Sequence, residues 1–156
     1  MQVQPLRKSS IGTRAAVAAA AVGLVVALAP TSVSSTVLGP GFRPDPQTMS
    51  GTAGGPVRAT RHGVTPDGMC TGWIAQSPNH RFTLSQDFDF LAVSVTAPVD
   101  TTLVILGPDG ARCQDDFDGF NPSVRGTWRA GDYSVYVGTY DGSQSVRYTM
   151  SITTRR

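Results

Sequence analysis

The sequence predicts an all-β protein: an antiparallel β-sandwich, jelly-roll-like, of about eight short strands, preceded by an export segment and a coil. Three observations lead there. Apolar residues beyond position 68 recur with a period of two, the pattern of a half-buried strand. Glycine, proline, asparagine and aspartate punctuate those runs at short intervals. No ten-residue stretch after Pro30 carries a helical period.

The elements follow in order. Residues 1–29 have the parts of a secretory signal. Arg7, Lys8 and Arg14 form a basic start without an acid, and Ala15 to Ala29 is an apolar run of 15 residues. A membrane-spanning helix needs about 20 apolar residues, and Pro30 ends the run short of that. Ala27-Leu28-Ala29 and Val33-Ser34-Ser35 are the candidate cleavage points, and an uncleaved anchor is the alternative. The expected location is secreted, periplasmic or at the cell surface. Residues 30–67 are rich in Pro, Gly, Ser and Thr and read as a linker or an ordered coil lying along the domain. The GTAGG run at 51–55 lacks the lysine and the strand-then-helix setting of a phosphate loop.

Residues 68–156 carry the domain. Thr71 to Ala75 and Arg81 to Ser85 are short strand candidates. Phe90 to Ala97 alternates, with Leu91, Val93 and Val95 on one face. Thr101 to Leu106 is apolar on both faces, as in a central strand. Gly107-Pro108-Asp109-Gly110 is a turn by chemistry, and Ala111 to Gln114 returns from it. Val124 to Arg129 is joined by Ala130-Gly131-Asp132 to Tyr133 to Thr139. Asp141-Gly142 signals a hairpin. Gln144 to Thr153 then places Val146, Tyr148, Met150 and Ile152 inward. Tyr133 and Tyr148 fall in phase with the buried valines.

Charge and cysteine content narrow the function classes. The chain has 13 basic and 11 acidic residues. Three of the basic residues lie in the signal, so the remainder carries 10 − 11 = −1, with every acid an aspartate. Nothing there points to nucleic acid, or to a membrane once the signal is removed. Cys70 and Cys113 are an even pair in an oxidising compartment and predict a disulfide, with two buried free thiols as the alternative. Closing that loop stabilises the fold by about 4 kcal/mol in the chain-entropy model.

Three groups of residues carry candidate chemistry. Asp115, Asp116 and Asp118 with Asn121 form an acidic knot where a strand runs into a loop. Calcium takes six to eight oxygens, and Asp100 and Asp132, which begin neighbouring elements, are the expected completion of a structural calcium shell. The other reading is an acidic turn in which the aspartates accept from nearby amides. Trp73, Trp128, Tyr136 and Tyr140 are candidates for a sugar- or peptide-binding platform, with core packing as the competing reading. His62 and His80 are the two histidines, and no HExxH or GxSxG motif accompanies them. The expectation is therefore a non-enzyme.

The stretch from Asp100 to Gly142 also resembles a family. DTTLVILGPDG, the acidic QDDFDG and WRAGDYSVYVG are similar to the corresponding segments of the bacterial pre-peptidase C-terminal domains. Those are secreted β-sandwich modules related to the collagen-binding domains of clostridial collagenases. The glycine-led strand of that pattern is matched by Gly131, Tyr133, Val135 and Val137. The resemblance spans roughly Phe82 to Thr153. It implies a module that assists folding, secretion or substrate attachment of secreted peptidases, in some cases with calcium. The Cys70/Cys113 pair and the CTGWI segment fall outside the family pattern, and the expectation is a stand-alone relative. The functional expectation is a secreted binding or adhesion module for an extracellular protein or glycan. A folding or secretion accessory of a secreted hydrolase is the alternative, and a small hydrolase a third.

Overall fold

The computed structural model describes residues 35–142 and 144–156. The predicted signal, Met1–Ala29, and its two candidate cleavage points lie outside them, apart from Ser35. No helix among the described residues is long and apolar enough to cross a membrane.

The strands, in chain order, are β1 (Ser35–Leu38), β2 (Gln47–Ala53), β3 (Val57–Arg58), β4 (Val64–Thr65), β5 (Gly68–Met69), β6 (Trp73–Ile74), β7 (His80–Leu84), β8 (Phe88–Thr96), β9 (Thr101–Gly107), β10 (Gly110–Gln114), β11 (Ser123–Trp128), β12 (Gly131–Thr139) and β13 (Val146–Thr153). One 3-10 turn, Ala59–His62, joins β3 to β4. The chain forms an all-β sandwich. In one sheet β1, β7, β12, β9 and β10 lie side by side, and β6 and β3 extend it beside the end of β12. The facing sheet has the order β11-β8-β13-β2. The pairings are antiparallel except that of β1 with β7.

The two inner faces supply the main core, with Phe82, Leu91, Leu103, Ile105, Val135 and Met150 among its buried members. A smaller cluster lies on the other side of the first sheet. There Ala59, Ile74, Val104 and Tyr136 pack around the disulfide. This second cluster is why β9 is apolar on both faces: Leu103 and Ile105 serve the main core and Val104 the smaller one. The Cys70–Cys113 disulfide is formed, with both cysteines fully buried. It ties the segment before β6 to β10.

All eight predicted strands are present. The stretch read as a linker or an ordered coil lying along the domain, 30–67, carries strands of the domain's own sheets from residue 35 onward, so the linker reading is corrected. Leu38 and Ala53 are core residues, and β2 pairs with β13 along its whole length. The strand was hidden because Met49 is the one large apolar residue on its inward face, beside Gln47, Gly51 and Ala53. Gly51 lies opposite Tyr148, and a Cβ there would sit 2.5 Å from the tyrosine hydroxyl. A large ring on one strand demands a near-absent side chain on the other, which erases the hydrophobic period that identifies a strand.

In β8 one extra residue interrupts the pairing with β11. Gly126 is opposite Leu91 and Trp128 opposite Phe88, so Asp89-Phe90 stands against Thr127 alone. The bulge changes the phase of β8 and lets both Phe88 and Leu91 face the core.

Candidate functional site

The acidic knot lies at one end of the sandwich, where β9 begins and β10 finishes. Gln114, the last residue of β10, is paired with Leu103, which brings the next residues, Asp115 and Asp116, back beside Asp100. The hairpin after β12 arrives at the same place, and Tyr140 donates its amide to the carbonyl of Asp100. Burial, then Asp116, Asp115 and Asp141, hold the Asp100 carboxyl above the usual aspartate range. Its Oδ1 atom is buried and has no hydrogen-bond partner among the described residues.

The predicted calcium shell is only partly assembled. Asp100, Asp115 and Asp116 converge, but Asp132 does not join them. The strands β9 and β12 are antiparallel, so their first residues fall at opposite ends. Thr139, not Asp132, stands opposite Thr101. Seven residues of strand, roughly 24 Å, separate Asp132 from that end. There Asp132 accepts a hydrogen bond from the Thr83 hydroxyl at 2.6 Å. Asn121 is also engaged, its Oδ1 accepting the Ala97 amide at 3.0 Å. Asp115 accepts from the Thr71 hydroxyl at 2.7 Å and from the Asp116 amide at 3.1 Å. Asp118 forms an isolated bridge with Asn121 that closes the loop. Among the described residues, no three acidic, histidine or cysteine side chains stand together as a metal cage. Asp115 thus does what the turn reading expects, accepting from the next amide, and the negative charge of Asp115 and Asp116 bears on Asp100.

The four aromatics predicted as a platform are dispersed. Trp128 is 3% exposed in the main core, its indole N–H donating to the Leu91 carbonyl at 2.9 Å. Tyr136 is 8% exposed and belongs to the cluster around the disulfide, on the other face of the first sheet. Neither offers a ring to a ligand. Trp73 is half-buried on β6 between β12 and β3, with the Arg58 guanidinium 4.2 Å from its ring centroid. Tyr140, half exposed, is the open member of the set.

Two residues that the strand pattern did not single out are more prominent. Phe117 and Phe120 are 49% and 65% exposed on the loop between β10 and β11. Phe120 is held at the acidic end because its carbonyl accepts the Thr101 amide at 3.3 Å. Their signal was available: two phenylalanines inside an Asp/Gly/Asn/Pro turn have no strand alternation to bury them. The Arg125 guanidinium covers one of them, 4.1 Å from the centroid of the Phe117 ring.

The histidines have structural surroundings. His80 Nε2 and the Tyr148 hydroxyl are 2.8 Å apart, and burial lowers the His80 pKa. His62 accepts a hydrogen bond from Arg61 and lies beside the Tyr136 ring.

No protein-family model matches the chain. An uncharacterised protein of Synechococcus elongatus is 38% identical over 88 residues, 54% of this chain. The chain spans 65% of that protein's length, just under two thirds. Among solved structures, the chain is similar to the pre-peptidase C-terminal domain of a collagenase from Bacillus anthracis. That likeness covers 78% of this chain and 97% of the other, at 15% identity and a TM-score of 0.47.

Proposed function

We propose that the chain is a non-enzymatic extracellular module that attaches to a protein or glycan, acting from the secreted, periplasmic or cell-surface side. The observation that carries this reading is the placement of its exposed rings. Phe117, Phe120 and Tyr140 are the exposed aromatics among the large apolar side chains of the described residues. All three lie on loops that a rigid, disulfide-tied sandwich holds in place, which is where binding side chains are generally found. The resemblance of the Asp100–Gly142 motifs to secreted modules appended to peptidases points the same way. The experiment is sedimentation of the full oxidised chain with insoluble collagen, chitin, cellulose and peptidoglycan. Saturable retention on one of them is expected. Absence from every pellet, together with capture by a co-secreted hydrolase alone, would replace adhesion with the accessory role. Ester or casein turnover that His80→Ala abolishes would replace both with an enzyme.

A second reading is favoured by one feature, the buried and unpartnered Oδ1 of Asp100 amid the charges of Asp115, Asp116 and Asp141. A divalent cation would relieve that repulsion. We propose a structural calcium whose binding draws Asp100, Asp115 and Asp116, neighbours in charge but not arranged as a cage, into one oxygen shell completed by water and backbone carbonyls. Asn121 and Asp132 have no part in it. Thermal melts of the oxidised chain in calcium and in EDTA test this. A calcium-dependent rise in midpoint that Asp115→Asn/Asp116→Asn removes supports the site, and superimposable melts reject it.

A further inference from the structure

We propose that the acidic, aromatic end of the sandwich is a docking surface for an extended, arginine-rich segment of another protein. This rests on the binding-module reading above and names the class of partner that its exposed end fits.

The geometry begins at Asp100 and Thr101, the point where β9 starts. On the side of β10, the Phe120 carbonyl accepts from the Thr101 amide. On the side of β12, the Tyr140 amide donates to the Asp100 carbonyl. Two backbone bonds therefore fix the two exposed aromatic residues on opposite flanks of Asp100. Phe120 is 65% exposed and Tyr140 50%. Single exposed apolar side chains are ordinary on a protein surface. Two exposed aromatic residues whose backbones are held on either side of one half-buried aspartate are a more specific arrangement.

Charge selects the occupant. Asp115 and Asp116 follow β10 on the Phe120 side, and Asp141 follows Tyr140 on the other. All three act on Asp100, raising its pKa after burial has done so. A surface of this sign repels acidic partners and attracts cationic ones. The rings distinguish between cations. A guanidinium is planar and weakly hydrated, so it stacks on an aromatic face while donating in-plane to carboxylates, whereas an ammonium does this less well. The same loop already shows that contact internally, for Arg125 lies 4.1 Å over the Phe117 ring. Phe120 and Tyr140 present rings to a partner's arginines beside carboxylates that satisfy the remaining N–H groups. An extended segment fits better than a folded surface, because alternate side chains of an extended chain can reach two rings and the charge between them.

The test is fluorescence anisotropy of labelled octa-arginine and octa-lysine peptides with the full oxidised chain, in EDTA and 150 mM salt. Octa-arginine is expected to bind saturably and more tightly than octa-lysine. Phe120→Ser/Tyr140→Ser is expected to weaken it about tenfold, the effect of losing two cation–π contacts, with an unchanged melt. Asp116→Asn, at an exposed position outside the core, is expected to weaken binding and flatten its salt dependence. Absence of octa-arginine binding, equal affinity for the two peptides, or indifference to the loss of both rings overturns the proposal. Matrix sedimentation separates this failure from that of the broader reading. If the ring variant still sediments with a matrix while octa-arginine binding proves ring-independent, the surface is wrong and the module reading stands. If octa-arginine binds through the rings but no matrix retains the chain, the surface stands and matrix attachment falls.

Discussion

His80 and Tyr148 join the two sheets of the sandwich. The ring nitrogen Nε2 of His80 on β7 stands 2.8 Å from the Tyr148 hydroxyl on β13, and the rings meet edge to face with centroids 5.8 Å apart. Burial lowers the histidine pKa and raises the tyrosine pKa. Both groups are therefore neutral in the fold at neutral pH, a state in which the hydroxyl can donate to the imidazole.

That relationship has a pH consequence. The His80 pKa is lower folded than unfolded, where it is about 6.5. Below about 6.5 the unfolded state binds the proton more readily, so stability falls with pH until the folded pKa is passed. Melts between pH 8 and pH 5 should show the chain losing more stability than His80→Gln, which lacks the titration. Parallel losses in the two proteins would show that His80 does not contribute.

Tyr148 also sets the size of its neighbour. Gly51→Ala places a Cβ 2.5 Å from the tyrosine hydroxyl, and overpacking of this kind costs about 1–3 kcal/mol. Most of that loss should vanish in a Tyr148→Ala background, because the clash has one source. Denaturant unfolding of the two single variants and the double variant measures the coupling, and strict additivity would contradict the contact.

Arg112 clamps three parts of the domain. It holds the Asp67 carboxylate with two bonds, 2.7 and 2.9 Å long, and donates to the Arg125 carbonyl at 2.9 Å. Its guanidinium lies 4.4 Å from the centroid of a Trp128 ring that is itself in the core. Arg112→Lys keeps the charge but loses the planar fork. A loss of about 1–3 kcal/mol is expected, together with a changed near-ultraviolet signal from Trp128. An unaltered denaturation midpoint would show the clamp to be dispensable.

The disulfide closes a loop with a sequence separation of 43. Cys70→Ala/Cys113→Ala should lower stability by about 4 kcal/mol in the chain-entropy model, with the lost packing of two buried sulfurs acting in the same direction. The strands of the facing sheet should remain native-like, since the bond lies on the far side of the first sheet. Circular dichroism and chemical denaturation of the oxidised, reduced and substituted forms provide the comparison.

The legible parts of the fold were those whose period is simple. The inward set Tyr148, Met150 and Ile152 and the doubly apolar β9 appear in the structure as the sequence has them. What escaped were β1 to β5, and among them the long β2, whose glycine answers a ring nearly a hundred positions away. The same distinction governs the site. Asp115 and Asp116 could be identified from adjacency, and Phe117 and Phe120 from their turn setting. The dispersal of Trp128 and Tyr136 to different faces could not be read without the sheet order.

By itself the sequence determined the sandwich class, the eight strands from β6 to β13, the expected pairing of the two cysteines and the inward residues of β13. These follow from alternation, turn chemistry and an even cysteine count, all properties of residues near one another in the chain. Tertiary structure alone decided that residues 35–67 belong to the domain. It also decided that Asp132 lies at the opposite end from Asp100, and that Phe120 and Tyr140 flank that aspartate. Each depends on strand direction and register, which arise from pairing between distant segments. Antiparallel pairing sends the starts of neighbouring strands to opposite ends, and that fact divides one apparent cluster of aspartates into an acidic rim and a remote hydrogen bond.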